Sequence, residues 1–235
     1  MPQSRERVVI MCKRKDLGPL NELPKISKED KQNTSLNTIM DENVDSKYNI
    51  SGKLKATEEV WNDFLTLCKD NNIEVPRYPI WTDWWDTNGE NTRVTKFNKK
   101  LSDEENKEII SKKQKDFYEK YKNWIDKNRK FYEDYFDVLN PWLIKSRENP
   151  LWLGAVRKLE WQAENADLNI KQLLWSPRGS GVRIKNINYC PTLVAMASMI
   201  PIYGPQSRYI TPRECARLQS FPEDYILHES DKVSY

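Results

Sequence analysis

Apolar positions along this 235-residue chain fall into two rhythms, one of strands and one of helices. The run VVIMC at 8–12 is strand-like, and a strand over 3–12 puts Gln3, Arg5 and Arg7 on one side, about 7 Å between successive members. Residues 13–18 read as the turn that leaves it. Residues 19–56 are polar and rich in lysine. Thr57, followed by Glu58 and Glu59, then reads as a helix N-cap with carboxylates suited to the helix dipole. Trp61, Phe64, Leu65 and Cys68 follow at helical spacing as one apolar stripe.

Residues 77–96 predict loop or short strand, with Trp81, Trp84 and Trp85 clustered. Ser102 and Glu105 spell a capping box that opens a long helix. In it Phe117, Tyr121, Trp124, Asn128, Phe131, Tyr135 and Val138 recur at heptad-like spacing, a stripe expected to pack within its own domain. Asn140-Pro141 reads as its stop. Strand-like stretches return at 182–187 and 192–202. Thr211, Pro212 and Glu214 then give a capped short helix that ends before Phe221-Pro222. The sequence shows no internal repeat.

Composition narrows the picture. Hydrophobic residues make up 38% and charged residues 31%, while nine Trp and eleven Tyr concentrate the apolar content in large amphipathic rings. The net charge of +3 only hints at an anionic partner. Cys12, Cys68, Cys190 and Cys215 are scattered with no C-x-x-C pair, and His228 is the single histidine, which disfavours a zinc site, a disulfide framework or a Ser-His-Asp arrangement. No membrane-length apolar run or secretory segment is present, so the expectation is a soluble protein of a reducing cytoplasm.

Two segments carry a resemblance. "PQSRERVVIMCKRKDL" resembles the Q-x-R-x-R block of the DNA (cytosine-5)-methyltransferase family, and "RYITPRECARLQSFPEDYI" resembles its C-terminal helix block. They stand in the family's order with a long variable stretch between. In the family that stretch is the target recognition domain. "MDENVDSKYNIS" (40–51) is similar to the segment leading into it, and "SGVRIKNINYCPTLVAM" (180–196) to the segment leading out. The implied fold is α+β: an edge fragment of a Rossmann-like methyltransferase α/β sheet plus a mixed, helix-rich target recognition domain. The expected boundaries are 1–20 for the last strands of the catalytic domain, 21–205 for the recognition domain and 206–235 for the return to the catalytic domain.

The family's chemistry uses a Pro-Cys thiolate to attack C6 of a flipped cytosine, a Glu from an E-N-V motif, and S-adenosylmethionine over a glycine-rich loop. This sequence has no Pro-Cys. Cys190-Pro191 is reversed, and Cys215 reads as packing. Glu42-Asn43-Val44 spells the tripeptide but follows the Q-x-R-x-R block instead of preceding it, so Glu42 is read as a surface carboxylate. Gly179-Ser180-Gly181 lacks a strand-to-helix context and reads as a flexible turn beside DNA. The resemblance therefore implies an incomplete chain: an upstream catalytic half, in the same gene or a separate subunit, supplies the nucleophile and most of the S-adenosylmethionine site. A truncated gene and a split enzyme both fit, and the missing downstream block favours the first.

Roles remain for this chain by resemblance. Arg7 is expected at O2 of the flipped cytosine and Arg5 at a nearby phosphate or bracing the pocket, with Gln3 structural; a surface salt bridge is the plain alternative. Arg178, Arg183, Lys185 and Thr192 are the candidate double-stranded-DNA contacts, with a solvated strand edge as the alternative. Trp81, Trp84 and Trp85 read as core, with base stacking the minority reading. Arg213, Glu214 and Arg217 are expected to brace the recognition domain against the catalytic sheet through buried ion pairs. The function implied is the DNA-reading part of a restriction-modification cytosine methyltransferase, inactive alone. The rivals are a non-catalytic sequence-specific DNA-binding module and an RNA-associated helical protein.

Overall fold

A computed structural model describes residues 3–4, 14, 16, 18, 35–85, 102–193 and 199–235. The chain forms two compact units, the first from Met1–Asp45, Ile187–Ala197 and Ile210–Tyr235, the second from Ser46–Asn186 and Ser198–Tyr209. The architecture is α+β.

The second unit begins with helix α1, Gly52–Asp70, which buries Trp61, Phe64, Leu65 and Cys68 as the stripe predicts. Its start differs from the sequence reading. Ser51 is the N-cap, without a side-chain cap bond, and Thr57 lies inside the helix with its Oγ1 donating to Lys53 O at 2.6 Å. Glu58 is fully buried because Lys55 Nζ at 2.7 Å and Ser207 Oγ at 2.9 Å satisfy its carboxylate. A partner 149 residues away explains why this stretch resembles an exposed first turn and is not one. The helix ends in a Schellman motif: Asn72 takes φ 53°, and the Ile73 N–H returns to Cys68 O at 2.8 Å.

Helix α2, Asp103–Asp134, opens with the Ser102–Glu105 capping box and kinks at Tyr121, where φ is −117° and ψ 15°. Helix α3, Phe136–Arg147, follows a break at Tyr135 and contains Pro141. The predicted stop at Asn140-Pro141 is thus corrected: the ring of Pro141 is exposed in the second turn of a newly started helix, and the chain turns at Tyr135 instead. On the heptad-like stripe Asn128 and Phe131 are buried and Phe117, Trp124 and Val138 half-buried, while Tyr121 and Tyr135 are exposed.

The helices pack on a six-stranded sheet of order β2-β3-β5-β4-β7-β8, formed by Ile80–Trp81, Lys158–Gln162, Gly181–Lys185, Leu174–Arg178, Ile202–Tyr203 and Arg208–Tyr209. Only β3 and β5 run parallel among these pairs. The register sets Leu159 beside Val182, and Trp161 and Trp175 beside Ile184, on one face. That face joins a core in which Trp61 lies 5.9 Å from Trp142 and 5.7 Å from Trp152, ring to ring. The Trp61 indole N–H donates to Val156 O at 2.7 Å, so this fully buried ring has its polar atom paired. Trp85 stacks on Tyr132 at 5.3 Å within this core, and Trp84 stacks on Phe117 at 5.8 Å in a satellite cluster. Core packing is therefore the outcome for both.

In the first unit, β1, Gln3–Ser4, pairs in parallel with β6, Cys190–Pro191. The remainder of the 3–12 strand lies outside the described residues, as do 194–198 of the stretch 192–202. Helix α4, Pro212–Leu218, carries the predicted Thr211–Glu214 capping box and ends before Phe221. Helix α5 is Asp231–Ser234.

Candidate nucleic-acid interface

Strand alternation decides what the second face of the sheet presents. Where Val182 and Ile184 turn into the core, Arg183 and Lys185 take the opposite side. Glu160 is the register partner of Arg183 on β3, and Ser176 its partner on β4, with Arg178 two residues on, opposite Gly181. Sequence reasoning missed Glu160, although K-L-E-W-Q at 158–162 alternates as a half-buried strand should.

The two arginines differ. Arg183 donates from Nε and Nη2 to Glu160 Oε2 at 2.8 and 2.6 Å, and both side chains are mostly buried. Its solvated-edge and DNA-facing readings both miss this lateral tie, which holds β5 to β3. Arg178 sits at the hairpin end with its Nε buried and without a hydrogen-bond partner. Burial, and then the neighbouring Arg183, push its pKa below the ordinary guanidinium value, with Glu160 opposing them. A guanidinium keeps its proton regardless, so Arg178 is a charge held near a like charge. Lys185 is half-buried on the same face, whereas Thr192 is exposed and belongs to the first unit. The structure therefore brings Arg178, Arg183 and Lys185 onto one sheet face.

Between β4 and β5 the G-S-G sequence makes a two-residue hairpin turn instead of a loose loop. Gly181 has φ 141°, and a Cβ there would meet Lys158 O at 2.8 Å, so only glycine lets β5 approach the start of β3 this closely. A hairpin turn so filled does not fit S-adenosylmethionine, and no methyl-transfer step is assigned to it. Among the described residues no group of three or more His, Cys, Asp or Glu could hold a metal ion. No helix among them is long and apolar enough to cross a membrane.

In the first unit, the Glu214 carboxylate accepts the N–H of Thr211 at 2.7 Å and of Asp41 at 2.8 Å. Arg217 Nη1 donates to Ile39 O at 3.0 Å and Asp41 Oδ1 at 2.8 Å, while its Nε donates to Glu223 Oε1 at 2.6 Å. The hydrogen bond Arg217 donates to Glu223 first, and that to Asp41, raise the Arg217 pKa, with burial opposing them. Arg213 Nη2 donates to Tyr225 O at 2.8 Å. These bonds tie 39–41 and 223–225 to α4 within one unit, and the Arg217 pairs are half-exposed rather than buried. Cys190 and Cys215 are buried, and burial, then Cys190 and Glu214, push the Cys215 thiol far up. Glu42 is exposed. Gln3 is described in its backbone alone, and Arg5 and Arg7 lie outside the described residues.

Comparison with known proteins adds the family. The pattern described as "C-5 cytosine-specific DNA methylase" matches residues 1–235. The Type II methyltransferase M.AluI of Cellulosimicrobium cellulans is 36% identical over 110 residues, 45% of this chain and 20% of that protein. The Type II methyltransferase M.BanI of Aneurinibacillus aneurinilyticus is 68% identical over 28 residues, 12% of this chain and 6% of that protein. The matched part thus spans a fifth of M.AluI and less of M.BanI. No solved structure matches. The chain belongs to the C-5 cytosine-specific DNA methylase family.

Proposed function

We propose that this chain is the DNA-reading part of a DNA (cytosine-5)-methyltransferase of a restriction-modification system. Its second unit recognises a double-stranded sequence, and its first unit belongs with the edge of a Rossmann-like catalytic sheet. The observation that carries this reading is the Arg178–Arg183–Lys185 face, where one guanidinium is committed to Glu160 and the other keeps a buried Nε unpartnered. A planar donor fork held near a second positive charge gains most from an anion or a guanine edge. In this reading Arg178 takes the base or phosphate, Arg183 keeps β5 in place, and Lys185 and Thr192 contact phosphates. Gln3 is structural, Arg5 holds a phosphate and Arg7 donates to O2 of the flipped cytosine, as the family resemblance implies.

The sequence contains no Pro-Cys, and the described cysteines are buried, so the nucleophile and the S-adenosylmethionine pocket come from a catalytic half encoded upstream. The chain alone then binds DNA and transfers no methyl group. The test is co-expression of the full chain with the adjoining upstream sequence, read by bisulfite sequencing, beside anisotropy titrations of duplex DNA across a salt series. Restored methylation that is lost in Arg178→Ala supports the reading. Tight specific binding without methylation favours a non-catalytic DNA-binding module, and absence of duplex binding overturns both. If Arg178 contacts phosphate, its loss lowers the salt slope by about one; if it reads a guanine, it costs about 1–3 kcal/mol at one base position.

A further inference from the structure

Helix α2 carries a guanidinium that no acceptor claims. Arg129 makes no hydrogen bond or ion pair among the described residues, and its Nε is buried without a partner. Rings hold its charge instead: the guanidinium carbon lies 5.6 Å from the Tyr118 ring centre and 6.0 Å from that of Trp84. Ring faces attract a cation but leave the donors in the guanidinium plane unused. Nε is the only one of its nitrogens enclosed without a partner, so the Nη groups of this half-buried residue face solvent.

The charges around it are committed elsewhere. Asp126, one turn back, accepts from Lys122 at Oδ2 and from the Tyr118 hydroxyl at Oδ1, the latter at 3.1 Å. The Lys122 bond leads in lowering the Asp126 pKa and the charge of Arg129 comes last, so Arg129 is near enough to be felt and too far to be paired. Lys130, the next residue, is tied to Asp134 at 2.8 Å.

Position gives the fork a use. Trp81 is the register partner of Lys158, and Lys158 stands two residues from Glu160, the partner of Arg183, so Trp81 lies on the sheet face that carries the arginines. Trp84 meets Trp81 edge-on at 6.1 Å in the satellite cluster on that side. The Trp81 N–H donates to Asn128 Oδ1 at 2.8 Å, which fixes the neighbouring Arg129 at the β2 margin of the face. Three strand intervals separate β2 from β4, where Arg178 stands, a span of about 14 Å at ordinary strand spacing. The major groove is about 12 Å wide, so a duplex read in its groove at Arg178 brings a backbone strand to the β2 margin.

We propose that Arg129 clamps a backbone phosphate of the bound duplex, at the edge of the groove that Arg178 enters. The contact rests on the DNA-reading function and adds register without sequence preference. A guanidinium steadied by two rings and left with open Nη donors is suited to a two-point hold on a phosphate.

Anisotropy titrations of the full chain with duplex DNA across a salt series test it. Arg129→Met is expected to weaken binding alike on all sequences and to lower the salt slope by about one, so that the advantage of the parent shrinks about threefold between about 50 and 200 mM salt. Arg129→Lys keeps the charge and should keep the slope, while recovering only part of the affinity because the fork is lost. Lys130→Ala is the control for general loss of charge and should leave the slope nearly unchanged; a drop equal to that of Arg129→Met overturns the assignment. Duplexes carrying one neutral methylphosphonate at successive linkages locate the contact: the parent should lose affinity at a linkage to which Arg129→Met is indifferent. Weaker binding with the parental slope and no such linkage marks Arg129 as packing alone and overturns the proposal. Duplex binding that depends on Arg178 and ignores Arg129→Met overturns it too, and leaves the reader standing. Absence of duplex binding by the parent chain overturns the reader and the phosphate contact with it.

Discussion

Two helices in this chain open with the same four-residue device in opposite surroundings. At α2, Ser102 N–H donates to Glu105 at 2.8 Å and Glu105 N–H to Ser102 Oγ at 3.2 Å, with both residues exposed. At α4, Thr211 N–H donates to Glu214 at 2.7 Å and Glu214 N–H to Thr211 Oγ1 at 3.2 Å, with Glu214 fully buried. The bond lengths are nearly the same, so local geometry does not separate the two. Water does. It competes for each group of the first box and replaces it when lost, whereas the second has no substitute partner. Glu214 also receives the Asp41 N–H from 173 residues away, so a helix start doubles as a tertiary tie. Identical sequence signals therefore carry different weight, and burial sets the weight.

The sharpest way to break this contrast is Glu214→Ala. It strands the buried N–H of Thr211 and the half-buried N–H of Asp41, and a loss of about 3 kcal/mol is expected. Denaturant unfolding measures it, and amide exchange at Asp41 and Thr211 should speed up together. Glu214→Gln, which keeps one acceptor oxygen, should recover part of the loss. A Glu214→Ala protein of unchanged stability would remove burial as the deciding factor.

Asn128→Ala extends the contrast to a side chain within the second unit. Asn128 accepts the Trp81 N–H and donates to Pro79 O and Trp124 O at 3.1 and 3.0 Å, almost wholly shielded from water. Its truncation is expected to cost about 2 kcal/mol and to red-shift tryptophan emission as β2 loosens from α2. An equal effect from exposed Ser102→Ala would defeat the argument.

The same division between local and distant causes explains what the sequence could tell. Both capping boxes and the Trp61–Cys68 stripe were readable because each depends on residues within a turn or two. The start of α1 was not readable, since Ser51 makes no side-chain cap bond and Glu58 is paired with Ser207. Tyr135 breaks the long helix without a glycine or proline to mark it, and Pro141 misdirects. β3 and β4 are five residues each, and β4 contains Pro177, which argues against a strand on sequence alone. The Arg183–Glu160 tie follows from a parallel register that no short pattern encodes. The arginines of the interface were visible as residue types, but which one stays uncommitted was not.

Cysteines give a third, smaller effect in the same direction. Burial pushes the Cys68 thiol from 9.0 up to about 12, and Cys215 is shifted further still. In a Cys12→Ser background neither should react with an aromatic disulfide reagent at pH 8 until the protein unfolds. The folded state holds its thiol protons to higher pH than the unfolded chain, so the stability tied to Cys68 is intact below pH 9.0 and is lost between 9.0 and about 12. Prompt native-state labelling of Cys68 would show that it is less enclosed than Trp61 and Phe64 of the same core.

Glu105→Ala should have the smallest consequence. The Ser102 backbone N–H, and then its hydroxyl, hold the Glu105 carboxyl below its usual value of 4.5. A depressed carboxylate supports the fold above that value and loses its support as pH falls through its own lowered one. Yet Glu105 is fully solvated, so the ionised form has nearly as good a partner in water as in Ser102. The expected outcome is an unfolding midpoint indistinguishable from the parent at neutral pH, with faster amide exchange confined to the first turn of α2. The pH dependence near 4 should be altered only slightly. If instead Glu105→Ala matched Glu214→Ala, the capping box itself would be the stabilising unit at both helices, and the surroundings that distinguish them would be irrelevant.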